Sequence, residues 1–387
     1  MLFAGVMLIA TVLRTPITNV GPLLDTIRAD LNLSTGMGGV LASLPVFIFA
    51  VFSPLASLAG RFGIERSLML ALILIILGIS VRSLGFASTL FAGTALLSFG
   101  IAIGNVLLPT VIKRDFPQKA AALTTAYITW MSSLGAISSG IAVPAAAWLA
   151  FWLSDGALSW RASLAVWLIV AIAAAFVWFP QTRYRHKIPE KKTKKTAKSI
   201  LKSPIAWQAT IFMGLQSMGF YVMIAWLAAI LQDNGYEAEK SGWLVAFYQI
   251  ISLASGLFLP FVILRAKDQS AISAVCGLLC CVGTLGLLLA PQFAVLWLAL
   301  AGFGGGGCFI LAIAFISLRT RTHQQATSLS AMVNGGGYLI ASFGPLFFGM
   351  LHDIIPTWQF LLIGLTLTGA AQSATGWLAG RKKTVED

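Results

Sequence analysis

The sequence predicts an all-α membrane protein: twelve transmembrane helices in two pseudo-symmetric six-helix bundles. Three observations carry that expectation. Of the 387 residues, 58% are hydrophobic and only 10% charged, too little charge to clothe a soluble domain of this size. The apolar residues fall into twelve runs, each close to the roughly 20 residues that a bilayer-crossing helix needs. The basic residues gather on alternate connections, which orients the runs.

The first run spans residues 2–27. Its opening resembles the apolar core of a leader, but no basic region precedes it and Arg14 lies inside it, so it reads as a membrane helix. The second and third runs, 36–58 and 67–85, flank a short connection with Arg61 and Arg66. The fourth, 90–112, leads into Lys113, Arg114 and Asp115. The fifth, 120–150, and the eleventh, 324–352, exceed one bilayer thickness, so both are expected to tilt or to extend beyond the lipid. The sixth run is 160–180 and the seventh 206–232. The eighth, 241–264, precedes Arg265, Lys267 and Asp268, and the ninth covers 269–290. The tenth, 293–317, is interrupted only by glycines, and the twelfth, 357–379, ends on a basic tail.

With both termini placed in the cytoplasm, 21 of the 26 Lys and Arg residues fall on inner connections. Arg28, Arg82, Arg161 and Lys240 fall outside, and Arg14 stays within a helix. This is the positive-inside bias, and it requires an even number of spans. The net charge of +13 therefore reports orientation in a bacterial inner membrane and not nucleic-acid binding. The only long polar stretch, residues 181–203, carries nine Lys/Arg and reads as a cytoplasmic linker lying on anionic headgroups. It separates an N-terminal bundle, 1–180, from a C-terminal bundle, 204–387.

The halves show a weak repeat at an offset of 206. Pro54 falls on Pro260, Arg61 on Lys267, Lys113 on Arg319, and Ala120, Leu123 and Thr124 on Ala326, Leu329 and Ser330. Parallel repeats of this kind build carriers whose solute sits near the midplane. Gly100 with Gly104, and Gly302 with Gly306, have the spacing that lets helix backbones approach closely. The four cysteines lie in apolar runs, away from His, Asp or Glu at ligand spacing, so neither a metal nor another cofactor is expected.

Arg14 is the one charge near the middle of a run. Burying an arginine there costs about 2.5–3.5 kcal/mol on insertion scales, so it is expected to face a solute path or a partner. No carboxylate lies at comparable depth, and Asp25 is eleven residues along, near the outer end. A guanidinium in that setting suits an anionic or acceptor-rich solute, which it can hold by two parallel bonds. Polar and aromatic residues within other runs complete the expected substrate-binding set: Thr18, Asn105, Tyr127, Trp130, Gln216, Tyr221, Tyr248, Asn334 and Tyr338. They fall in runs 1, 4, 5, 7, 8 and 11 and spare the runs expected at the periphery. The expected gating set at the inner side is Arg61, Glu65, Arg66, Lys113, Arg114, Asp115, Lys267, Asp268 and Arg319.

Several blocks resemble one known family. They are GNVLLP at 104–109 followed by KRDFP at 113–117, SPIAWQ at 203–208, and Gly344 and Pro345 ahead of His352 and Asp353. Leu13 with Arg14, PLLDTIR at 22–28 and FGIERS at 62–67 add to them. The chain is similar throughout to the cyanate/2-nitroimidazole transporter family of the major facilitator superfamily. That resemblance implies a secondary transporter working by alternating access on a cyanate-like anion or a nitroimidazole-like compound. The superfamily's G-x-x-x-D-R-x-G-R-R signature departs here at its acidic position, which is Gly60, and Glu65 or Asp115 is expected to stand in for it. The G-x-x-x-x-G-P pattern of proton antiporters survives as Gly135 and Gly140, with its proline displaced to Pro144. That departure weakens the alternative, a proton-coupled multidrug efflux antiporter for neutral or cationic compounds. An enzyme is not expected, since the three histidines lie in or near connections. The partners expected are a small-molecule substrate and the lipid bilayer, with the chain functioning as a monomer.

Overall fold

The computed structural model describes residues 2–59, 62–153, 156–184, 186 and 200–386. Most of the basic linker, and Arg61 of the expected gate, lie outside the described residues.

Among the described residues, twelve helical spans follow one another in the predicted order. The first, α1, is broken into Leu2–Val12, Thr15–Thr18 and Leu24–Leu31. There follow α2 (Thr35–Ala59), α3 (Ile64–Arg82), α4 (Ala87–Asp115), α5 (Ala120–Leu153) and α6, in two pieces (Gly156–Ala165 and Trp167–Trp178). The second half comprises α7 (Pro204–Asp233), α8 (Ala238–Arg265), α9 (Ser270–Leu289), α10 (Ala294–Leu318), α11 (His323–Ile354) and α12 (Gln359–Ala379). Ten of the spans are long and apolar enough to cross a membrane. The other two, α11 and α12, carry polar residues such as Asn334, Thr366 and Gln372 within them.

Local sequence accounts for the ends. The last piece of α1 stops at Asn32, which adopts the left-handed conformation (φ 51°) and donates its N–H to the Arg28 carbonyl. The α11 helix starts from a reciprocal cap in which the Thr322 hydroxyl accepts the Gln325 N–H and the Gln325 side chain returns to the Thr322 N–H.

The described residues form two compact units. The first contains α1 to α6 together with Ile224–Ala246, the last turns of α7 and the first of α8. Its α3 and α4 pack closely: a Cβ at Gly78 would lie 2.5 Å from the Leu97 backbone nitrogen, and one at Gly93 would strike Arg82. The expected approach at Gly100 is present, 2.5 Å from the Ala71 carbonyl oxygen, and Gly104 seats the Leu13 side chain. The Ile224–Ala246 segment packs equally closely. Gly21 abuts the Ile224 carbonyl, Gly38 meets Arg28 and Trp226, and Gly140 meets the Trp243 ring.

The second unit holds the rest of α7 and α8 with α9 to α12. Its apolar centre includes Phe212, Met213, Cys308, Leu311, Phe315 and Val333. Here too glycines set the spacing: Gly277 meets the Ser373 backbone and Gly369 the Cys281 backbone, drawing α9 onto α12. Gly302 and Gly306 bring α10 against the carbonyls of Tyr248 and Ser252 on α8. All four cysteines are free.

Candidate solute site and inner gate

The break in α1 organises the candidate site of the first unit. Pro16 has no N–H to offer the Val12 carbonyl, and its ring crowds that carbonyl. Three threonines add to the bend by turning their hydroxyls back on the helix: Thr11 to Met7, Thr15 to Thr11 and Thr18 to Arg14, at 3.0, 3.1 and 3.3 Å. Arg14 sits at the discontinuity as N-cap of the short Thr15–Thr18 piece, with φ −122° and ψ −47°. Neighbouring helices take up the carbonyls around it. Ser138 Oγ donates to the Thr15 carbonyl at 3.0 Å and Ser139 Oγ to that of Thr18 at 2.8 Å. Arg82 Nη1 donates to the Pro16 carbonyl at 2.6 Å, and Thr18 Oγ1 to the Gly135 carbonyl at 2.9 Å.

Gly135 gives Arg14 its room. A Cβ there would lie 2.6 Å from Arg14 Cγ and 3.5 Å from Thr18 Oγ1. The guanidinium stem thus runs along a strip of α5 that has no side chain. Trp130, on the same helix and half exposed, donates Nε1 to Thr11 Oγ1 at 3.0 Å. Tyr127 is buried, and Asn105 on α4 is exposed one residue beyond the Gly104 contact with Leu13. In this unit the structure therefore groups Arg14, Thr18 and Trp130 about the break.

In the second unit, Gln216 is buried and donates to the Gly305 carbonyl at 3.3 Å while accepting from Ser217. Phe220 lies edge-on to Tyr221 at 5.5 Å and tilted against Tyr248 at 6.2 Å. This joins three expected residues in one aromatic and amide cluster. Asn334 turns its amide onto Ser330 of its own helix, and Tyr338 packs on the apolar centre. Gly219 and Gly335 face open space, with nothing within 4 Å of a Cβ.

The expected gate residues divide. Glu65, 2% exposed, accepts Arg114 Nη1 at 2.5 Å. Arg114 also forks onto both oxygens of Asp115 at 2.7 Å. His186 joins from beyond α6: its Nδ1 lies 2.7 Å from Glu65, its N–H donates to the same carboxylate at 3.1 Å, and its carbonyl accepts the Ile64 N–H. Both carboxylates named as stand-ins for the missing signature acid thus engage Arg114. Arg66, Lys113, Lys267 and Asp268 are exposed, and Asp268 accepts the Ser270 N–H. Arg319 is buried and bonds the carbonyls of Ala379 and Gly380 and the side chain of Gln269. Burial pushes its guanidinium below the ordinary arginine value.

Glu65→Ala is expected to cost about 1.5–3 kcal/mol, the contribution of hydrogen bonds to a charged partner. Arg114 keeps Asp115, which limits the loss. Thermal melting of the purified variant in detergent checks this, and an unchanged midpoint would show that the cluster contributes nothing to stability.

The Major Facilitator Superfamily profile matches residues 6–345. The chain belongs to the major facilitator superfamily. A 2-nitroimidazole transporter of Escherichia coli (strain K12) is 41% identical over 386 residues, covering 99% of this chain and 96% of that protein. The cyanate transport protein CynX of the same organism is 30% identical over 350 residues, 90% and 88% of the two chains. The crystal structure of a bacterial homologue of the human lysosomal transporter Spinster, inward-facing and unoccupied, superposes with a TM-score of 0.79 at 16% identity, covering 98% and 96%. That likeness establishes the fold. This major facilitator chain is accordingly a multi-pass membrane transporter and not an enzyme.

Some residues that hold the site together escaped the sequence reading. Ser138 and Ser139 are ordinary small residues of an apolar run, with no signal beyond their spacing from Gly135. His186 lies in a stretch read as solvated linker. Arg82 was sorted to the outer side by its place at a helix end, yet the structure buries it completely against α1.

Proposed function

We propose that this transporter carries a small anionic or strongly dipolar solute, a cyanate-like anion or a nitroimidazole-like heterocycle, across the bacterial inner membrane by alternating access. Arg14 is the anchor. The observation that carries this reading is its place: a guanidinium at a break midway along the first helix, on a glycine-floored strip of α5. Discontinuous membrane helices with freed backbone groups are where carriers of this construction bind solute. The relatives named for 2-nitroimidazole and cyanate support the class, since both solutes are small, planar or linear, and rich in acceptors for a two-toothed guanidinium.

Within the second unit, Gln216, Tyr221 and Tyr248 offer an amide and two phenols of their own for solute contact, and Glu65, Arg114 and Asp115 form an ion-pair gate that breaks and re-forms at the cytoplasmic side. The chain acts as a monomer with both termini cytoplasmic. Among the described residues every carboxylate lies near a helix end or in a connection. That arrangement leaves a proton-driven drug antiport without a titrating group at the midplane.

Counterflow in proteoliposomes tests the proposal. Labelled cyanate or 2-nitroimidazole is expected to show saturable exchange, inhibited by other small planar or linear anions and not by an organic cation of similar size. Inhibition by the cation alone would favour the drug-antiporter alternative.

A further inference from the structure

Arg82 is the most demanding side chain of the first unit. It is fully buried and donates one hydrogen bond, from Nη1 to the Pro16 carbonyl at 2.6 Å, while its Nε and Nη2 have no hydrogen-bond partner among the described residues. No described carboxylate pairs with it. A guanidinium so placed carries a large desolvation penalty that a single carbonyl does not offset. An apolar residue would stabilise the helix end better, so the arginine does something that packing alone would not require.

What it does is legible in the backbone of α1. In an unbroken helix the Pro16 carbonyl would accept the N–H of Val20, four residues on. Here Val20 donates instead to Ile17, at a long 3.4 Å, and Arg82 occupies the carbonyl that Val20 has given up. A side chain inserted into the ladder is one of the few physical causes of a sharp helix kink. Pro16 opens the ladder upstream by lacking an N–H, and Arg82 keeps it open downstream by taking the oxygen. The ladder is intact one residue earlier, where the Asn19 N–H still donates to the Thr15 carbonyl at 3.3 Å, so the opening is confined to the Pro16 carbonyl. The close α3–α4 packing at Gly78 and Gly93 fixes the base of Arg82, since any side chain at Gly93 would strike its backbone and Cβ.

We propose that Arg82 is a positioning residue: by capping the Pro16 carbonyl it maintains the break in α1 and so sets where Arg14 stands. This inference rests on the reading of Arg14 as solute anchor, but its test has a readout independent of any solute. In Arg82→Met the freed Pro16 carbonyl recovers the Val20 N–H, so hydrogen exchange at Val20 is expected to slow at least tenfold. Arg82→Lys, which keeps a donor of similar reach, is expected to stay within threefold of the unmodified protein. A merely structural arginine would loosen the helix on removal, so unchanged or faster exchange at Val20 in Arg82→Met overturns the proposal. Should that variant fail to insert, Arg82→Gln takes its place: its shorter chain leaves Pro16 uncapped, and equal exchange in the Gln and Lys variants is equally fatal.

In the same preparations the apparent KM for labelled cyanate or 2-nitroimidazole is expected to rise at least tenfold in Arg82→Met and to recover in Arg82→Lys, with maximal flux changed far less. Slowed exchange with an unchanged KM would separate the break from Arg14 and refute the positioning role. If the unmodified protein moves neither solute, the substrate reading fails, and the exchange at Val20 alone decides whether Arg82 holds the break.

Discussion

Arg14→Ala is expected to lower transport at least roughly 100-fold in kcat/KM while the protein still inserts and purifies. Each charge-assisted hydrogen bond to the solute contributes about 1.5–3 kcal/mol, and a two-toothed guanidinium makes two. Every 1.4 kcal/mol is tenfold in binding, so losing both teeth removes the anchor. Arg14→Lys keeps the charge and loses the fork, which places it between the two. Stability should move the other way. An arginine midway along a membrane span costs about 2.5–3.5 kcal/mol, so its removal is expected to leave the melting midpoint unchanged or higher, as when function is maintained against stability. Flux that persists in Arg14→Ala would refute the anchor. A sharp fall in melting temperature would instead make Arg14 part of the scaffold.

All twelve helices could be read from the sequence, because an apolar run of bilayer length has few alternative structures and basic connections punctuate it. The glycine contacts at Gly100, Gly104, Gly302 and Gly306 were also legible, since close backbone approach leaves the same small-residue spacing in most membrane helices. What the sequence concealed were bonds between distant residues whose local setting looked ordinary. Arg82 ends a helix, where an arginine normally reaches water; only the packing of α3 on α4 turns it inward. His186 sits among lysines and arginines that read as solvated, yet it folds back onto Glu65. Arg319 matched Lys113 in the repeat and read as a gate residue. In the structure its donors go to carbonyls at the end of α12, the backbone groups that a helix terminus leaves unpaired. Arg14 itself was found by depth alone. The floor that receives it, Gly135, appeared in the sequence only as part of an incomplete motif.

The glycine with the sharpest consequence is Gly21. Its α-carbon lies against the carbonyl of Ile224, so a methyl there overlaps a backbone oxygen that no rotamer change can move. The neighbouring contacts, Gly140 on Trp243 and Gly38 on Trp226, end on side chains, which can yield. Gly21→Ala is therefore expected to push the broken first helix off the end of α7 within the first unit. Overpacking of this kind costs about 1–3 kcal/mol or more, and at the upper end that is roughly 100-fold in an equilibrium or a rate. Net flux should fall by a similar factor, and the melting midpoint of the purified variant should fall with it. Gly219→Ala, a methyl added to open space, is the control and should transport normally. Wild-type flux in Gly21→Ala would mean that this contact takes no part in the cycle. Loss of binding along with flux would mean that Gly21 shapes the site itself.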